Sequence, residues 1–276
     1  MKPASSLERA LAALLRLCGS LFVLLFFAFL ILPVAIVAVM SFTNQMYLTF
    51  PPTGWATKWY TEVWNTPRWF VALWNSGAIA LPVALLSVIL GTLTALAVAR
   101  SGMRWPRLVA ALIVAPLMLP HVIIAIGLYP TMLDLRLAST YIAVIIGHTV
   151  VATPFVFTTV SASLQSYDHA LELAAMTMGA NPWRAFWRVT FPMVRASMAT
   201  GGVFAFAVSF DELMLSLFLT SPRTITLPRL LWEHLAQEVT PAIAAVATVI
   251  LAITLVLLGI ALVFRRGNAD AAVQGL

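Results

Sequence analysis

The chain is 276 residues long, 62% hydrophobic and only 9% charged, with a mean hydropathy of +0.97. Soluble domains carry about 25% charged residues, so a water-soluble globule is excluded. The net charge of +6 and an isoelectric point near 10.1 come from basic residues spread thinly between apolar blocks, which argues for membrane topology and against a nucleic-acid surface.

Apolar blocks of about 20 residues cross about 30 Å of hydrocarbon as helix, and six can be drawn. The first, about 19–42, follows a basic tail with Lys2, Arg9 and Arg16. It is longer than the roughly 7–15 residues of a signal core, so it reads as a retained span. The single cysteine, Cys18, has no partner for a disulfide or a metal site. Thr43 to Phe70 then gathers Pro51, Pro52, Gly54, Trp55, Trp59, Tyr60, Trp64 and Trp69, an aromatic run suited to a membrane interface or to an external partner.

The next three spans are expected at about 71–99, 107–130 and 139–161. Pro82, Pro116, Pro120 and Pro154, like Pro33 in the first span, predict kinks that neighbouring helices must compensate. His121 and His148 read as packing or hydrogen-bonding residues within these spans. The fifth and sixth spans fall at about 195–220 and 241–264, joined by an outer loop with Arg223, Arg229, Glu233, His234 and Glu238.

Eleven basic residues fall on one side of this arrangement: Lys2, Arg9, Arg16, Arg100, Arg104, Arg107, Arg184, Arg188, Arg195, Arg265 and Arg266. Five fall on the other: Lys58, Arg68, Arg136, Arg223 and Arg229. The positive-inside bias therefore puts both termini in the cytoplasm, and an even span count follows.

Residues 163–194 form the longest cytoplasmic excursion. Ser166 or Asp168 can cap a helix running from His169 to Met178, and Gly179 stands where helices end in a left-handed turn. Asn181 then caps, and Pro182 starts, a second short helix over Trp183 to Val189, before Pro192. Leu171, Ala174, Ala175 and Met178 share one face, and Trp183, Phe186 and Trp187 follow the turn. Small alanines admit close approach and the aromatics offer contact area, so the hairpin suits a cytoplasmic partner, or else lies on the membrane surface or on the chain's own helices.

Leu173-Ala174-Ala175-x3-Gly179-x9-Val189-x-Phe191-Pro192 resembles the Glu-Ala-Ala-x3-Gly-x9-Ile-x-Leu-Pro signature of bacterial ABC importer permeases. The alanine pair, glycine and proline are identical; the signature's glutamate position holds Leu173, and Glu172 lies one residue earlier, about 100° around the helix. Further stretches look like the second permease of spermidine/putrescine-type importers. These are Ser41-Phe42-x8-Pro51-Pro52-x-Gly54-x4-Trp59-Tyr60, Asn75-Ser76, Gly91-x3-Ala95-x3-Ala99-Arg100, and Ser209-Phe210-Asp211-Glu212.

The resemblance implies an all-α integral membrane protein with the type I importer permease fold, residues 1–276 forming one transmembrane domain in the bacterial inner membrane. It implies a second related permease, two cytoplasmic ABC ATPases and a periplasmic solute-binding protein as partners, beside membrane lipid. ATP and Mg would be used by those partners, with no cofactor bound by this chain. It also implies that Glu172, Leu173, Ala174, Ala175, Gly179, Ala180, Asn181, Pro182, Trp183 and Pro192 belong to an elbow that couples ATPase closure to the spans.

Asp211 and Glu212 lie within the fifth apolar block, where a carboxylate costs about 2.5–3.5 kcal/mol. Neighbours diverge by about 100°, so Asp211 is expected to line the solute route with Glu212 in support; an interhelical hydrogen bond or a salt bridge to a partner subunit is the other use. Enzyme motifs are missing: the chain has no GxSxG, HExxH or GxxxxGK[S/T]. A stand-alone secondary transporter or channel is the alternative, although no inverted repeat supports it. A membrane scaffold would leave the paired carboxylates unexplained.

Overall fold

In this computed structural model the backbone is described for residues 6–100, 105–166, 168, 170–237 and 239–274, and the side chains for 14–100, 105–166, 168, 170–237 and 239–260. Lys2, Arg104, His169 and Glu238, and the side chains of Arg9, Arg265 and Arg266, lie outside the described residues. Helices dominate; one isolated antiparallel bridge joins Thr43 and Trp55.

Among the described residues five helices are long and apolar enough to cross a bilayer: within α1 (Ser6–Met40), α3 (Pro67–Arg100), α6 (Tyr141–Gln165), the run Pro182–Phe210, and α12 (Pro241–Gln274). A bent pair raises the number to as many as six. No residue of the most apolar window of α1 is buried within the chain. Such an all-round apolar helix requires lipid or another protein around it.

The third predicted span is not one helix. α4 (Pro106–Val114) runs through a 3-10 turn at Ala115–Met118 and stops, and α5 (His121–Asp134) leaves at 105°. Pro33, Pro82, Pro130 and Pro154 sit inside continuous helices. Pro116 and Pro120 act together: Pro120 forces Leu119 into an extended conformation with ψ 137°, and the kink expected there becomes a break.

The fifth predicted span is also interrupted. α9 (Phe191–Phe210) ends before Asp211, and α10 (Met214–Leu219) begins after Leu213. At its other end the separate short helix predicted over 183–189 merges with the span. α8 (Pro182–Ala185) passes through a π turn, Phe186–Thr190, into α9. The Phe191 N–H bonds the Phe186 carbonyl, five residues back. This wider turn relieves the crowding and the missing donor that Pro192 would impose on a regular helix.

Two compact units divide the chain. In the smaller, α2 (Lys58–Asn65) places Trp59 against Ala242 and Ala245, and the Trp59 indole N–H donates to the Thr43 carbonyl at 2.8 Å. Ser41 Oγ meets the Tyr60 hydroxyl at 2.6 Å, and the Phe42 and Tyr60 rings lie 5.1 Å apart. The spacing of Ser41, Phe42, Trp59 and Tyr60 thus closes an aromatic loop at the start of α12.

In the larger unit α3, α6 and α9 pack on one another around Ile79, Val83, Ala152, Val156, Val160 and Ala205. Glycines bring the backbones close, as membrane helices require. A methyl group on Gly91 would lie 2.9 Å from the Phe157 backbone nitrogen and 2.8 Å from Val156 Cβ, and one on Gly201 would lie 3.0 Å from Val156 Cα. Gly91→Ala is expected to destabilise the protein by about 1–3 kcal/mol through overpacking, seen as a lower unfolding midpoint in detergent.

Asn75 and Ser76, at the other end of α3, hold the 221–227 loop. The Asn75 amide donates to the carbonyls of Arg223 and Ile225 at 3.0 and 2.9 Å, and Ser76 Oγ accepts from the Leu227 N–H at 2.8 Å. Tyr141 donates to Asn75 Oδ1 at 2.7 Å. α11 (Leu227–Gln237) follows, with Glu233 paired to both Arg68 and Arg229.

Candidate functional site

Residues 166–192 form an elbow whose shape follows from its end signals. Asp168 Oδ1 accepts from the Ala170 N–H at 2.9 Å, opening α7 (Ala170–Thr177). α7 closes in a Schellman arrangement: Ala180 N–H bonds the Ala175 carbonyl and Gly179 N–H the Met176 carbonyl, both at 3.0 Å. Gly179 has φ +91°, a conformation that favours a residue without Cβ. Asn181 Oδ1 then accepts from the Arg184 N–H at 2.8 Å and Pro182 takes the first helical position of α8.

The elbow presents an apolar surface outward. Met178 is 87% exposed and Trp183 68%, with Leu171, Leu173 and Trp187 also exposed. Ala174 is exposed and Ala175 half-buried between them. Trp183, Phe186, Trp187 and Phe191 form a chain of ring contacts 4.8 to 6.4 Å apart, which stiffens the second arm. Pro192 is exposed where that arm enters α9.

Glu172 turns the other way. It is buried, with its Oε2 2.6 Å from Arg100 Nη2, the last residue of α3. The same guanidinium nitrogen donates to Thr190 Oγ1 at 2.6 Å, and the Thr190 hydroxyl donates to Glu172 Oε2 at 3.2 Å. Leu173, at the position of the signature's glutamate, is 52% exposed, so the two neighbours face opposite ways. Sequence reasoning used Arg100 for topology and within a resembling stretch but not as a partner of the elbow, and did not single out Thr190, because neither the ion pair nor the hydroxyl contact has a local signature.

A second polar cluster gathers at the two helix breaks. His121, the first residue of α5, has Nδ1 2.7 Å from Glu212 Oε2. Glu212 Oε1 accepts from the Leu215 N–H at 3.1 Å, capping α10, and Ser216 Oγ donates to the Glu212 carbonyl at 2.8 Å. His148, fully buried in α6, contacts Ser209 Oγ at 2.9 Å and Ser216 Oγ at 3.3 Å through its two ring nitrogens. Every member is hydrogen-bonded, as burial in an apolar surround demands.

Asp211 and Glu212 thus separate. Glu212 is inward and spends both oxygens on structure, the interhelical arrangement weighed from the sequence. Asp211 is exposed at the end of α9, its N–H bonded to the Ala207 carbonyl. Among the described residues no group of three His, Cys, Asp or Glu side chains could hold a metal ion.

Long apolar helices, one interrupted at prolines and another at paired carboxylates, and an exposed elbow continuous with one span define a multi-pass membrane permease domain. The chain belongs to the family described as binding-protein-dependent transport system inner membrane component, which it matches over residues 87–267. It is 32% identical over 235 residues to the putrescine transport system permease protein PotI of Escherichia coli (strain K12), covering 83% of each chain. It is 28% identical over 242 residues to the spermidine/putrescine transport system permease protein PotC of the same strain, covering 88% of this chain and 91% of that protein.

Its fold is that of a chain from a crystallised bacterial ABC transporter that imports the acidic polysaccharide alginate. The TM-score is 0.70 at 16% identity, over 96% of this chain and 99% of that one. A second alginate transporter structure, in complex with a pentasaccharide-bound periplasmic protein, aligns with TM-score 0.67 at 18% identity, over 93% and 95% of the two chains. The protein is an ABC importer permease subunit, and the stand-alone carrier considered from the sequence is not favoured.

Proposed function

We propose that this subunit forms half of the translocation pathway for a small cationic solute of the polyamine class in a bacterial inner membrane. The similarity to PotI over most of both chains carries that reading. Six spans with both termini cytoplasmic follow if α4 and α5 together count as one crossing. This orientation puts the elbow and most basic residues on the cytoplasmic side.

A second permease completes the channel, two ATPases bind and hydrolyse MgATP outside this chain, and a periplasmic protein delivers the solute. The outward face of Leu171, Ala174, Ala175, Met178 and Trp183 is the docking surface for one ATPase, supported by its apolar exposure and by the rigid caps at Gly179 and Asn181. Ala180 and Pro182 hold the turn between the arms. Asp211 faces the route at the break after α9, where a carboxylate attracts an ammonium group.

The reading predicts radiolabelled putrescine uptake into proteoliposomes only when the binding protein, both permeases, the ATPases and MgATP are all present. Equal uptake by this chain alone, without nucleotide, would overturn it.

A further inference from the structure

We propose that Arg100 is a positioning residue that ties the cytoplasmic end of α3 to the coupling elbow, so that ATPase movement reaches the second span as well as the spans on either side of the elbow. The inference rests on the functional reading above and adds a residue to it.

The elbow is joined through the chain to α6 on one side and, through the π turn, to α9 on the other. α3 has no such connection. It packs against α6 and α9 through Gly91, Ala95, Val83, Val156 and Gly201, and smooth contacts of this kind permit small sliding movements of one helix past another. Directional contacts fix axial register: at the far end of α3 Tyr141 of α6 donates to Asn75, and the end that faces the elbow needs a contact of its own.

Arg100 supplies that contact. One guanidinium nitrogen reaches Glu172 in the first turn of α7 and Thr190 at the end of the π turn, both at 2.6 Å, so it bridges the two arms of the elbow. Glu172 is 4% exposed, Thr190 fully buried and the Arg100 side chain 25% exposed, so water competes with the tie less than at a surface pair. Both charges also sit where helix dipoles favour them: a cation at the carboxyl end of α3 and an anion at the amino end of α7. The outward face of the elbow is left free for docking. A push there would be transmitted inward through Glu172 and Thr190 to α3.

The test uses the complete importer in proteoliposomes and reads radiolabelled putrescine transported per ATP hydrolysed. Absence of ATP-driven uptake in the unaltered complex would count against the solute assignment, whereas the variants report on the tie. Arg100→Gln is expected to lower the transport-to-hydrolysis ratio about tenfold in complexes of unaltered subunit composition. Arg100→Lys, which keeps the charge but loses the planar fork, should restore part of the ratio, and Thr190→Val should lower it about threefold. A purely structural ion pair would reduce the amount or thermal stability of the complex and leave the ratio unchanged. An unchanged ratio in Arg100→Gln overturns the proposal. If that variant does not assemble, an unchanged ratio in Thr190→Val overturns it equally.

Discussion

Arginines at Ala174 and Ala175 together are expected to abolish solute uptake while leaving the permease folded. Ala174 is exposed and Ala175 half-buried, both lie within α7, and arginine is a good helix former. The helix and its Schellman end, built from backbone hydrogen bonds and Gly179, therefore survive. In the proposed docked state the same positions face the ATPase. An unpaired charge buried at an interface costs about 3–5 kcal/mol, which is two decades or more in affinity. Copurification of the ATPase with the tagged permease should fall accordingly, ATP-driven putrescine uptake should drop at least about a hundredfold, and the thermal midpoint of the permease should move little. Normal uptake with the ATPase still bound would remove the elbow from the coupling path.

That experiment probes the part of the protein most legible in the sequence. The elbow could be read from local chemistry: Asp168, Gly179, Asn181 and Pro182 each act within three residues of their own position, so spacing alone carries the information. The apolar blocks were legible for the same reason, since crossing hydrocarbon needs a continuous apolar run and little else. What escaped depends on contacts between distant segments or on how two local signals combine. Pro33, Pro82 and Pro154 resemble Pro120 in one dimension, yet only Pro120, four residues after Pro116, breaks its helix. Similarly, the inward turn of Glu172 is decided by Arg100 and Thr190, and that of Glu212 by His121 and the free amino end of α10. The Asn75-Ser76 pair was visible only as a resemblance; its physical task, holding the 221–227 loop, required the fold.

Asp211→Asn is expected to cut putrescine uptake by about ten- to a hundredfold without altering assembly. Glu212→Leu is expected to do the reverse, lowering stability before it touches specificity. The two carboxylates are neighbours, but the chain leaves helical geometry between them: Asp211 has φ −97° and ψ 3° at the end of α9. Its side chain is exposed, and the amide replacement preserves size while removing the charge. A hydrogen bond to a charged group contributes about 1.5–3 kcal/mol, so losing the attraction for an ammonium group accounts for the stated range. Glu212 instead supports His121 and the Leu215 N–H. Truncation to leucine leaves both without their acceptor at about 1–3 kcal/mol each, seen as a lower unfolding midpoint and a smaller yield of assembled complex. Comparing uptake per assembled complex separates the two roles. Equal uptake for Asp211→Asn and the unaltered protein would remove Asp211 from the route, and the break after α9 would then serve only to let Glu212 cap α10.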